Sequence, residues 1–107
     1  MKNTYQTGKI YCITNEAGKK YIGSTIKTLN NRLSGHKHDF KRYKDNRFHY
    51  ISCFDVMEDH TYRITLLEDF PCNNRIELLM REGQYQKDME CVNRHINKRC
   101  LNEMLSY

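Results

Sequence analysis

The chain has no tryptophan, one proline and only five glycines, which excludes collagen-like and linker-like character. No apolar run exceeds a few residues, so no helical membrane span is expected. The N-terminal MKNTYQTGKIY lacks the apolar stretch of a secretory signal. There is no Cys-x-x-Cys pair, and the five cysteines (Cys12, Cys53, Cys72, Cys91 and Cys100) are an odd number. That pattern argues against a secreted disulfide framework and against a four-thiolate zinc site. The expectation is five reduced, mostly buried thiols in an intracellular protein of the cytoplasm or nucleus.

Core-forming residues are also scarce. Leu, Ile, Val and Phe supply 22 of 107 residues, just above the level of roughly 20% at which disorder sets in. Eight tyrosines and five methionines are expected to complete a thin interior. The length suits a single domain over residues 1–107.

Basic charge is concentrated. The formal net charge is +5, and residues 27–47 hold all of it: Lys27, Arg32, Lys37, Lys41, Arg42, Lys44 and Arg47 against Asp39 and Asp45. The rest of the chain is balanced. A basic stripe of this kind is the footprint of a phosphate-backbone contact, or simply a solvated helix face.

Short-range patterning predicts an α+β domain of order ββα(α)βαα. Lys9-Ile10-Tyr11-Cys12-Ile13-Thr14 reads as a strand, residues 15–19 as a turn, and Lys20-Tyr21-Ile22-Gly23 as its hairpin partner. From Thr28, a plausible N-cap, to Tyr43, Leu29, Leu33 and Phe40 share one helical face. Residues 49–57 suggest a short helix. Residues 61–67 alternate Tyr62, Ile64 and Leu66 against Arg63 and Thr65, a third strand ended before Pro71. Asn73 or Asn74 caps a helix running to about Lys87, and residues 93–105 suggest another. The first few residues and the last few are expected to fray. Three strands covered by helices make a small sheet with helical layers.

Six residues form a constellation. Tyr11 and Tyr21 lie on paired strands, and Arg32 and His36 are four apart on one side of a helix. Glu82 follows on the later helix and Asn93 beyond it. This ordered set resembles the GIY-YIG nuclease family, through Ile10-Tyr11, Tyr21-Ile22-Gly23, Arg32, His36, Glu82 and Asn93. The resemblance covers most of the chain, about residues 8–97. Here the first motif is Lys9-Ile10-Tyr11, with Gly8 just upstream, and Asn97 is a second candidate for the asparagine.

The resemblance implies a small three-stranded antiparallel sheet flanked by helices, and a DNA endonuclease that hydrolyses phosphodiesters in line with one divalent metal, Mg²⁺ or Mn²⁺. Glu82 is the metal ligand in this reading; one carboxylate with waters and substrate oxygens is enough for Mg²⁺. Arg32 grips the scissile phosphate with a planar fork. Tyr11 is the general base or positions the water, with Arg32 and the metal lowering its pKa, and His36 relays its proton. Tyr21 bonds a phosphate oxygen or a metal-bound water, and Gly23 lets the backbone approach the phosphate. Asn93 braces the site. Lys20, Lys37, Lys41 and Arg42 are expected to touch the DNA backbone. No membrane and no small-molecule cofactor are expected. Family members usually carry a separate segment that chooses the DNA site, and none is expected within this chain. Homing or mobile-element nucleases are the first biological expectation. The alternative is a non-catalytic nucleic-acid-binding module on the same fold.

Overall fold

The computed structural model describes residues 4–93. Two strands, β1 (Lys9–Thr14) and β2 (Lys20–Thr25), form an antiparallel hairpin in which Tyr11 faces Gly23 and Ile13 faces Tyr21. The turn is closed by Asn15, whose Oδ1 accepts from the Lys19 N–H (3.1 Å). Gly18 supplies the positive φ of 87° that the turn needs. The Asn15 amide also donates to the Val56 carbonyl (3.1 Å), tying the turn to the helical layer.

β3 (Arg63–Asp69) pairs antiparallel on the other side of β1, so the sheet order is β2-β1-β3 and β2 is an edge. Ile10 faces Glu68 while Tyr11 faces Leu66, which leaves Leu67 as the extra residue of a bulge. The expected alternation holds for Tyr62 and Ile64, which pack on the side of Tyr11 and Ile13, against exposed Arg63 and Thr65. Leu66 pairs with Tyr11 but is 44% exposed, and Leu67 packs on Ile10's side; the bulge shifts the register only beyond Leu66.

Successive strand residues point to opposite faces, and both faces are covered. Ile10 and Ile22 pack with Cys72 and Leu78 under α3 (Arg75–Asp88). Tyr11 and Ile13 pack with Val56, Leu29 and Leu33 under α1 (Leu29–Lys44) and α2 (Cys53–Met57). An outer cluster of Cys53, Phe54 and Met57 is completed by Phe40, Tyr43 and Tyr50.

The caps expected from sequence are present. Thr28 Oγ accepts from the Asn31 N–H (3.2 Å), and Asn74 Oδ1 accepts from the Glu77 N–H (3.0 Å). α2 occupies only the end of the expected 49–57 helix. Residues Thr4–Thr7 form a 3₁₀ turn whose Tyr5 carbonyl accepts from Gly8 (3.1 Å) and Cys72 (3.0 Å), and residues 1–3 and the last few, where fraying is expected, lie outside the described residues. Cys12, Cys53 and Cys72 are buried and Cys91 is half-buried, all as free thiols. Beyond Asn93, the expected helix over 93–105, with Asn97 and Cys100, lies outside the described residues. No described helix is long and apolar enough to cross a membrane.

Candidate active site

Cross-strand pairing sets the first part of the site. Tyr11 stands opposite Gly23, and a Cβ at Gly23 would lie 2.5 Å from the phenol carbon of Tyr11. The missing side chain is therefore the seat of the Tyr11 ring. Gly23 itself also lines the cavity beside Tyr11 and Tyr21.

Behind Tyr11 stands α1. Leu29, Leu33, His36 and Phe40 follow a 4-3-4 spacing, so the imidazole occupies a position in the helix's inward stripe. It is only 1% exposed. Tyr11 Oη and His36 Nε2 are 2.8 Å apart. On the other ring nitrogen, Nδ1, lies Cys53 Sγ at 3.3 Å, contributed by α2. Arg32 Nε donates to Tyr11 Oη at 3.2 Å. The Tyr21 ring meets His36 edge-on, with centroids 5.8 Å apart.

These contacts fix the electrostatics. Burial pushes the Tyr11 phenol up to about 12, although the Arg32 guanidinium pulls it down. Arg32 lowers the phenol as expected, but desolvation of the buried phenolate outweighs this one partly buried cation. Tyr21 is raised too, by burial and by Tyr11 beside it. Burial, with Arg32 adding to it, drives His36 down to about 3. Near neutrality the site therefore rests with neutral phenols and a neutral imidazole.

The acidic part comes from the opposite layer. α3 turns Leu78, Glu82 and Gln86 toward the sheet at i, i+4 spacing. Glu82 is 8% exposed. Its Oε1 accepts from Ser24 Oγ (2.6 Å) and its Oε2 from Gln86 Nε2 (3.0 Å). Gln86 also donates to the Ile22 carbonyl (3.4 Å). Asn93 grips the same residue twice, accepting from the Ile22 N–H (2.9 Å) and donating to its carbonyl (2.8 Å). Asn93 therefore holds the Tyr21-Ile22-Gly23 segment from behind.

Because β2 is an edge strand, the two layers can open onto a common cavity of about 370 Å³. Tyr11, Tyr21, Arg32 and Glu82 all line it, with Ser24, Lys27 and Arg75. His36 and Asn93 are outside the lining and reach it only through their bonds to Tyr11 and to Ile22 of β2.

The other expected phosphate contacts lie elsewhere. Lys20 precedes Tyr21 in the strand and so points to the other face, where it lines a separate cavity by the hairpin turn. Lys37 and Lys41 are exposed, five and nine residues beyond Arg32 and hence about 140° and 180° around the helix from it. Arg42 donates to the Arg47 carbonyl (3.3 Å) and covers Phe48. The cations at the cavity are Arg32, Lys27 and Arg75. Sequence reasoning passed over Ser24, Gln86, Arg75 and Cys53 as site residues, and counted Lys27 only within the basic stretch. Two of these carried a local signal: Gln86 is four residues from Glu82, and Ser24 shares the strand face of Ile22. Arg75 and Cys53 carried none.

Among the described residues no group of three or more His, Cys, Asp or Glu side chains gathers to form a metal cage. The donors at Glu82 are hard oxygens, its own carboxylate and the Ser24 hydroxyl beside it. That set fits a cation that keeps most of its water and takes one carboxylate, as Mg²⁺ does.

A family model described as the GIY-YIG catalytic domain matches residues 7–97. Over 87 residues the chain is 32% identical to Uncharacterized protein 019R of Invertebrate iridescent virus 6. The match covers 80% of this chain but 30% of the viral protein, so the chain spans less than a third of that relative's length. No solved structure matches the chain.

Proposed function

The chain belongs to the GIY-YIG nuclease family, and from that premise we propose that it is a divalent-metal-dependent DNA endonuclease acting at the cavity beside β2. One observation carries the reading. Tyr11, Tyr21, Arg32 and Glu82, from two strands and two helices, line the same cavity, with a buried imidazole hydrogen-bonded behind the first of them.

Arg32 and its neighbours Lys27 and Arg75 receive the phosphodiester; the Arg32 guanidinium keeps N–H groups beyond the one on Tyr11 for the phosphoryl oxygens. Tyr11 takes a proton from the attacking water as its own proton passes to His36 Nε2. The resulting hydroxide attacks phosphorus, the bond to the leaving oxygen breaks, and that oxygen gains a proton from solvent. Glu82 would hold Mg²⁺, with Mn²⁺ as substitute, which supplies positive charge for the phosphoryl and leaving oxygens when bound. Tyr21, beside the cavity, orients a phosphate oxygen. We read the setting as intracellular, with homing or mobile-element nucleases as the first comparison.

Supercoiled plasmid tests this directly. With Mg²⁺ the wild type is expected to nick it, and chelation or Glu82→Gln to reduce nicking by at least about 100-fold. DNA affinity should stay within a few fold. Binding without cleavage under any divalent metal would support the non-catalytic alternative, and full activity of Glu82→Gln would refute the metal assignment.

A further inference from the structure

We propose that the Cys53 thiol is a positioning residue for the reaction: it accepts the Nδ1–H of His36 and so leaves Nε2 as a bare acceptor aimed at the Tyr11 hydroxyl. The proposal rests on the nuclease reading above and adds a residue from α2 to it.

A neutral imidazole carries one ring proton, and its location follows the partner each nitrogen meets. At Nε2 that partner is Tyr11 Oη (2.8 Å), and at Nδ1 it is Cys53 Sγ (3.3 Å). Tyr11 Oη already accepts from Arg32 Nε. A proton on Nε2 would place a second N–H donor behind the phenol oxygen and turn the phenol's own hydrogen into the cavity. Tyr11 could not then take a proton from water. With the proton on Nδ1, the phenol donates backward to Nε2 and keeps a lone pair toward the cavity. Cys53 is fully buried, so water does not compete for Nδ1.

The groups facing His36 make a thiol suitable. Tyr11 and Tyr21 approach from the strands, Arg32 from its own helix, and Cys53 from α2. Asp39 and Asp55 act on Cys53 only through space, as Glu82 does on the two phenols. Burial holds the thiol neutral. It therefore orients the ring without the charge a carboxylate would bring, which would draw a second proton onto the ring and close Nε2 as an acceptor. During turnover water gives a proton to Tyr11, Tyr11 gives its own to Nε2, and the imidazolium keeps its Nδ1–H on sulfur. The ring then returns that proton through Tyr11 to solvent.

The ¹⁵N shifts of histidine-labelled protein report which nitrogen is protonated, and single-turnover cleavage of plasmid reports the rate. In the wild type His36 is expected neutral with the proton on Nδ1. Cys53→Ala should mix the tautomers and lower the single-turnover rate by about tenfold with DNA affinity within about twofold. Cys53→Ser, which restores an acceptor, should recover the tautomer and most of the rate. A wild-type proton on Nε2 overturns the proposal, as does an unchanged rate and tautomer in Cys53→Ala. If Cys53→Ala does not fold, the wild-type tautomer and the Cys53→Ser rate decide. The expected tautomer in a protein that cleaves no DNA would instead sink the nuclease reading.

Discussion

Tyr11 serves two opposed demands. Its ring is a core side chain, 1% exposed, while its hydroxyl lies at the cavity. Burial keeps that hydroxyl protonated with a pKa of about 12, so Tyr11 cannot act as a standing phenolate and needs a partner to receive its proton. In the proposed reaction His36 is that partner, and its own burial has a measurable consequence. Its folded pKa of about 3 lies below the ordinary value of 6.5. The unfolded chain therefore binds a proton that the native ring refuses, and the stabilisation present above about pH 6.5 is lost as the pH falls below it. From about pH 7 to pH 5 this single group should cost about 2 kcal/mol. Urea unfolding at the two pH values should show the wild type losing that much more than His36→Gln. Equal losses would mean that His36 is protonated in the fold. The chemistry of these residues was legible because types and order carried it. The sign of the Tyr11 shift was not, because it depends on how deeply a strand residue is covered by helices far away in sequence.

At the scale of elements, β2 organises the site although it is an edge strand. Its outer side is held by Val92, which donates to the Lys20 carbonyl (2.7 Å), and by the paired bonds of Asn93 to Ile22. On its inner side Gly23 makes room for Tyr11. Gly23→Ala is expected to cost about 1–3 kcal/mol of stability through overpacking, and to displace the phenol from His36, abolishing cleavage. Denaturant titration beside the plasmid assay checks both effects; an active and fully stable Gly23→Ala variant would show that the ring has space to spare. Strand and helix positions were readable from hydrophobic spacing and from Thr28 and Asn74 at the caps. The bulge at Leu67 was not, because strand register is fixed by the partner strand rather than by the strand's own pattern. The same limit concealed the pairing of Gly23 with the Tyr11 ring.

Across the whole molecule, the site joins two layers separated by the sheet. Tyr11, Arg32 and His36 belong to the α1 side, and Ser24, Glu82 and Gln86 to the α3 side. They meet only at the β2 edge. The basic excess of residues 27–47 is real, yet only Lys27 and Arg32 of that stretch reach the cavity, joined by Arg75 from α3. A linear charge count finds the basic stretch but not which side of its helix faces the cavity. The central claim is that the two layers act as one catalytic unit, and single-turnover cleavage by Tyr11→Phe, Glu82→Gln and the double variant tests it most directly. Each single change is expected to lower the rate by about 10²–10⁴-fold, and the double variant should fall no more than a few fold below the slower single one. Losses that multiply in the double variant, or a single variant that cleaves at the wild-type rate, would contradict the claim.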